Sequence, residues 1–495
     1  MKHSFFSRKS IVRASIPILA LLILGGVLAY QYPELYSKNT MVLRNDGWHP
    51  QQLIIEPGQS VTFINKTKSP FWPASNTHPQ HNLYAAFDSG KALAPGSSWT
   101  FTFTELGRWG LHDHLRPYYT GYINVGQAAV TYDCETDIAT IDTAQKRECW
   151  NTKLLDELKS KGAKAAFNMF ARFYTSDTDF TRIGCHVIAH NLGDAAYGEY
   201  VLKGKKIESL EFPAESAYCG YGYYHGILEH MIREDPDPTK AANFCEWVIT
   251  NHEKILPSIR LNCYHALGHG FTPEPTDVEM WGDALRMTAP AIQACSTLPA
   301  EDIRQECLQG TFNVVGDWMW TNQFGLRFPK EDPLSLCRSY ENKEVSKACY
   351  YELSMRLTPL VDSLPELYTK YVAAIEEDDI ATMIMNSAAA SALGSNIKDT
   401  NFIPFLKECR AVPERAREGC LKGLSAAFLA HGEPGKEYVK AIAYCSDPEQ
   451  TVSEKQTCHW NMVRTFKKIY SPEKVAELCT QLAPEYRSLC VYEGT

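Results

Sequence analysis

Gln52-Leu53-Ile54-Ile55-Glu56-Pro57-Gly58-Gln59-Ser60-Val61-Thr62-Phe63-Ile64-Asn65 is the stretch that decides the fold of the N-terminal part. Apolar and β-branched residues fill Gln52 to Glu56, and apolar and polar residues alternate from Ser60, with Pro57-Gly58 between them as a turn. The stretch therefore reads as strand, turn, strand. Trp99 to Thr104 adds another such segment behind the Pro95-Gly96 turn. Several short strands at this spacing between about Met41 and Gly126 imply a sandwich or a barrel.

Towards the N-terminus, Lys2, Arg8, Lys9 and Arg13 precede an uncharged apolar run from Ile16 to Ala29. This is an export signal. At about 14 residues the run fits a signal-peptide core and, with its flanks, a marginal membrane span. Residues 1–30 are thus expected to be a signal peptide or an N-terminal single-pass membrane anchor, followed by a linker over 31–40. Either reading sends the rest of the chain out of the cytoplasm, to a periplasm or cell surface. The 16 cysteines agree, since none precedes Cys134 and no CxxC pair occurs anywhere. Zinc ribbons, thioredoxin-type sites and c-type haem attachment are excluded, which leaves disulfides. A net charge of -9 spread over 495 residues offers nothing to nucleic acid.

After Gly126 the strand signals stop and amphipathic helical stretches take over, among them Leu154 to Phe173, Leu308 to Trp318, Tyr350 to Leu357 and Leu421 to Ala430. From Cys295 onward the cysteines come in close couples: 295 with 307, 337 with 349, 409 with 420, 445 with 458 and 479 with 490. Successive couples stand 42, 72, 36 and 34 residues apart, so the long interval reads as two units, one lacking its cysteines near Ser387 to Gly394. The period predicts helical hairpins stacked as a solenoid, each stapled by its own disulfide, with the second cysteine opening a helix. Neighbour pairing extends backwards to 134 with 149, 185 with 219 and 245 with 263. The expected order is a β domain at 41–126, histidine-bearing helical repeats at 127–290 and cysteine-paired repeats at 291–495.

The β region resembles the cupredoxin family in Ile55 to Asn65, in His81-Asn82, and in Gly107-Arg108-Trp109-Gly110-Leu111-His112-Asp113-His114 closing with Gly121-Tyr122-Ile123-Asn124-Val125. The resemblance implies a Greek-key sandwich with copper on a histidine at 81 and a second at 114. Counting back from Gly121, it puts the family's cysteine at Leu111 and its axial methionine at Tyr119. Without a thiolate, strong sulfur-to-copper charge transfer is lost, so the domain is expected to be non-blue. His78, His81, His112 and His114 remain, and an all-nitrogen set with a carboxylate from Asp113 suits tetragonal Cu(II), or zinc. The competing reading is a metal-free, cupredoxin-shaped module.

A second histidine set lies in the first helical repeats. His186 and His190, His225 and Glu229, and His265 and His269 each stand four apart, which places each pair on one helix face. In stacked hairpins the three pairs could converge on a metal site of up to six ligands, mononuclear or dinuclear, with zinc or iron as candidates and Glu229 as a candidate catalytic base. That would suit a metal-dependent oxidoreductase better than a hydrolase, for which no GxSxG motif speaks. The interleaved Gly193, Gly226, Gly268 and Gly270 allow another reading: close helix packing with each imidazole satisfying a carbonyl. Two functions therefore stand. One is copper handling or copper-dependent redox chemistry, tethered to the membrane through the N-terminal segment, with a protein or redox partner on the helical-repeat face. The other is a disulfide-stapled interaction scaffold with a metal-free β module.

Overall fold

The computed structural model describes residues 39–126 apart from 46, 77, 79, 80 and 82, and residues 143–491 apart from 202, 253–257, 276–277, 395–400 and 432–435. The expected leader and Cys134, with its pairing to Cys149, lie outside the described residues. Among those described, no helix is long and apolar enough to cross a membrane. The chain divides into two compact units, Met1–Cys149 and Trp150–Thr495.

The first unit contains β1 (Thr40–Arg44), β2 (Gly47–His49), β3 (Gln52–Ile55), β4 (Gln59–Asn65), β5 (Pro73–Ser75), β6 (Ser98–Phe103), β7 (Gly107–Asp113) and β8 (Arg116–Val125). They form two four-stranded sheets, ordered β2-β1-β4-β6 and β3-β8-β7-β5. β1 runs parallel to β4 and β3 to β8, and the other pairs are antiparallel. The quoted stretch becomes β3 and β4, placed in different sheets by the Pro57-Gly58 turn. Along β4, Val61 and Phe63 turn inward, and they pack with Met41, Phe103, Leu111 and Ile123 in one apolar core. This is the expected all-β sandwich, built of two four-stranded sheets.

The second unit is helical. The helices begin with α1 (Thr143–Lys161), which runs across the boundary at Cys149, and continue with α2 (Ala163–Ser176), α3 (Thr178–Ile183), α4 (Cys185–Tyr200), α5 (Gly222–Glu234), α6 (Pro238–His252), α7 (Ile259–Phe271) and α8 (Ala284–Ser296). After them come α9 (Glu301–Thr321), α10 (Lys343–Ser354), α11 (Asp378–Gly394), α12 (Ile403–Ala411), α13 (Glu414–His431), α14 (Glu437–Cys445), α15 (Val452–Ile469) and α16 (Pro472–Thr480). The amphipathic stretch Leu154 to Phe173 is not one helix. It breaks between α1 and α2 at Gly162, whose φ of 90° suits glycine and few other residues.

Seven disulfides staple this unit, all between the expected neighbours: 185–219, 245–263, 295–307, 337–349, 409–420, 445–458 and 479–490. The second cysteine does not open its helix, however. α9, α10, α13 and α15 each begin six residues before theirs, so the cysteine lies in the second turn. Earlier residues start these helices: the Asn342 side chain accepts from the Glu344 and Val345 N–H groups, and Thr451 forms a capping box with Glu454. α11, which carries Ser387 to Gly394, has no cysteine and packs against α13. It is the expected unstapled unit.

Candidate metal centres

In the β unit, β7 brings in His112, the β7–β8 turn brings in His114, and the segment after β5 brings in His78 and His81. Ala74 of β5 pairs with His112, which sets that segment beside β7. The four histidines offer one ring nitrogen each, all within 4.8 Å of one another. His81 Nε2 lies 2.7 Å from His114 Nδ1, and His78 Nδ1 lies 3.3 Å from His112 Nε2. His81, His112 and His114 are buried.

The outer nitrogens of His81 and His112 are held by neighbours. His81 Nδ1 is 2.7 Å from Asp88 Oδ2, and His112 Nδ1 is 3.0 Å from Asn76 Oδ1. A proton on each Nδ1 donates outward and leaves the Nε2 lone pair facing the cluster, an arrangement that orients imidazoles for a metal. Asp88 also accepts from the Trp72 indole at 2.6 Å, and the Trp72 ring lies 4.5 Å from that of His114. Burial would raise the Asp88 carboxyl, but the hydrogen bond and charge of His81, with Trp72 and Gly90 helping, bring it down to about 2. Burial holds His112 and His114 well below the ordinary imidazole range, and the neighbouring histidines add to this. Convergent imidazoles, three of them buried, fit a borderline divalent ion.

Three sequence expectations need revision here. Leu111 is a fully buried member of the hydrophobic core, so the position assigned to the missing sulfur points away from the cluster. His112, one residue on, faces it. Tyr119 is engaged elsewhere, its hydroxyl donating to the Asn45 carbonyl at 2.6 Å. Asp113 brings no carboxylate to the set: it is buried against Arg116 Nε at 2.7 Å and the Trp72 N–H at 2.8 Å. The carboxylate beside the histidines is Asp88. No sequence motif marks it, because it lies in a loop seven residues after His81.

In the helical unit, α4, α5 and α7 bring the other six residues together. Their candidate ligand atoms form overlapping trios: His186, His190 and His225; His225, His265 and His269; and His190, Glu229 and His269. His190 Nε2 lies 3.1 Å from His186 Nε2 and 3.0 Å from His225 Nδ1. Glu229 stands between two rings, Oε2 at 3.3 Å from His190 Nδ1 and Oε1 at 3.2 Å from His269 Nδ1. Both oxygens are therefore committed to orienting imidazoles, which suits a positioning role better than that of a base. Burial opposes ionisation of Glu229, yet the two histidines hold it well below the usual carboxylate range. Burial pushes His186 down to about 3 and keeps His225 and His265 well below the ordinary range.

The glycines serve the packing that draws these rings together. A Cβ on Gly193 would collide with the Tyr223 carbonyl, one on Gly226 with the His190 carbonyl, and one on Gly268 with the Cys307 carbonyl. The alternative reading of imidazoles satisfying carbonyls holds for His186, whose Nδ1 lies 2.6 Å from the Cys219 oxygen. It holds for His230 too, with Nδ1 at 2.9 Å from the Asp194 oxygen. It does not account for His225 and His269: their Nε2 atoms are buried and have no hydrogen-bond partner among the described residues.

No family model and no curated protein matches this chain. Solved structures similar to it include a novel purple cupredoxin from Nitrosopumilus maritimus, at 21% identity over 18% of this chain and 99% of that one, with a TM-score of 0.17. The Cu(I) form of an amicyanin mutant is similar at 19% identity over 18% of this chain and 81% of that one, TM-score 0.16. A copper-containing nitrite reductase from Thermus scotoductus SA-01 matches at 20% identity over 18% of this chain and 22% of that one, TM-score 0.15. Scores this low carry no argument, and the sheet order is what describes the β domain.

Proposed function

We propose that the protein is an extracytoplasmic, membrane-tethered copper protein whose β domain holds Cu(II) on His78, His81, His112 and His114, and whose helical unit carries a second metal centre. The observation that carries this reading is the convergence of four mutually close ring nitrogens, with Asp88 and Asn76 placed behind two of the rings. An apolar module that had lost its metal would not be expected to keep three buried imidazoles at that focus, given the cost of burying polar groups without a purpose for them. A copper ion there would supply a one-electron couple or a high-affinity cargo site. No cysteine precedes Cys134 in the sequence, which argues against a blue electron-transfer centre in the β domain. Localisation outside the cytoplasm rests on the leader and the cysteine pattern, and copper handling or copper-dependent redox chemistry is the corresponding role.

The competing reading is an interaction scaffold, favoured by the disulfide-stapled solenoid. Elemental analysis of the purified protein followed by an electron paramagnetic resonance spectrum separates the two. Bound copper with nitrogen hyperfine structure and no intense blue band supports the proposal. Metal-free protein whose melting temperature is unchanged by added copper or zinc supports the scaffold and overturns it.

A further inference from the structure

We infer that the helical cluster, taken as the second metal centre proposed above, is built for two ions that share His225. Of the three overlapping trios of candidate ligands, two share His225: His186 with His190 and His225, and His225 with His265 and His269. His225 belongs to both of these. Nδ1 lies 3.0 Å from His190 Nε2, while Nε2 is buried without a hydrogen-bond partner among the described residues. The His225 ring centre is 4.4 Å from that of His269 and 5.5 Å from that of His265.

Glu229 matches a two-ion arrangement. Its carboxylate lies between Nδ1 of His190, in the first trio, at 3.3 Å and Nδ1 of His269, in the second, at 3.2 Å. Each ring then keeps Nε2 for its ion, just as the Cys219 carbonyl holds His186 Nδ1 and leaves Nε2 inward. Glu229 is thus a positioning residue spanning both halves. A neutral His225 ring carries one N–H proton, so binding an ion at each nitrogen sends that proton to solvent. No electron is transferred in the step. The resulting imidazolate would bridge the two ions through its in-plane nitrogen lone pairs and couple their unpaired spins.

The test loads Cu(II) into the intact chain carrying H81A and H114A, which removes the β-domain set, then counts copper after dialysis and integrates the paramagnetic resonance signal. The expected result is two ions per chain with an integrated signal near zero. His186→Gln, which belongs to the first trio alone, is expected to halve the copper and make the remaining ion fully visible, and His225→Gln, which takes a ligand from both ions, is expected to weaken the retention of both. One ion with one full spin overturns the shared His225 and leaves the second centre standing. No copper overturns both. If the H81A and H114A chain does not fold, the unaltered protein decides the same question: three ions with one visible spin support the inference, and two ions, both visible, overturn it.

Discussion

Asp88 Oδ2 sits 2.7 Å from His81 Nδ1, and the opposite nitrogen of the same ring lies 2.7 Å from His114. The carboxylate thereby fixes which nitrogen of His81 faces the cluster. Removing it frees the ring to turn and lowers its basicity. Asp88→Ala is expected to weaken Cu(II) binding in the β domain by about ten- to a hundredfold, the range usual for an outer partner of a metal-bound histidine. Competition with a chelator of known affinity measures this, and unchanged affinity would mean that the pair is only structural.

The opposite orientations of Leu111 and His112 make a spectroscopic prediction. A sulfur placed at 112 enters the histidine cluster, whereas one at 111 enters the apolar core. His112→Cys is expected to give an intense visible charge-transfer band on addition of Cu(II), and Leu111→Cys none. A band in the second variant and not the first would reverse the assignment of the ligand strand.

That pair also shows where the sequence stops being legible. Counting back from Gly121 assumes a fixed strand register, but β7 and β8 pair with a shift between His112 and Asp113. A bulge changes which side chain faces which side of the sheet, and it has no local signature in Gly107 to Val125. Cysteine pairing, by contrast, was readable because helical hairpins repeat at a near-constant period, so neighbours in sequence are neighbours in space. The histidine pairs were readable for a similar reason, since four-residue spacing on a helix fixes a face. Their outer partners were not. Asp88, Asn76 and the Cys219 carbonyl reach the rings through loop geometry, and the committed oxygens of Glu229 appear only when α4, α5 and α7 are packed together.

Helix packing around the second cluster depends on glycine. At Gly226 an added methyl would meet the backbone carbonyl of His190, which cannot yield as a side-chain end can. Gly226→Ala is expected to push α4 and α5 apart and cost about 1–3 kcal/mol, the usual penalty for overpacking. Thermal unfolding measures it, and an unchanged melting temperature would contradict the close approach of these helices.

Two buried carboxyls farther along the solenoid predict a pH dependence. Burial raises Glu352 from 4.5 to about 7 despite the Asn313 hydrogen bond and the Arg356 charge, and burial with repulsion from Glu352 raises Glu306 likewise to about 7. The folded state then retains protons that the unfolded state has already released. This contribution is complete below pH 4.5 and is lost as pH rises through 7, with ~3 kcal/mol at stake per group. Glu352→Gln is expected to flatten the fall in stability over that interval, measured by denaturant unfolding at several pH values. A variant with the same slope as the unaltered protein would show that Glu352 does not titrate there.

The central claim, copper on the four histidines of the β domain, is tested most directly by counting the copper that survives dialysis in the unaltered protein and in the His81→Ala, His114→Ala double variant, with circular dichroism confirming that both are folded. The account predicts that the double variant loses one copper equivalent together with the nitrogen-ligated resonance signal. Equal copper and an identical spectrum in the two proteins would contradict it.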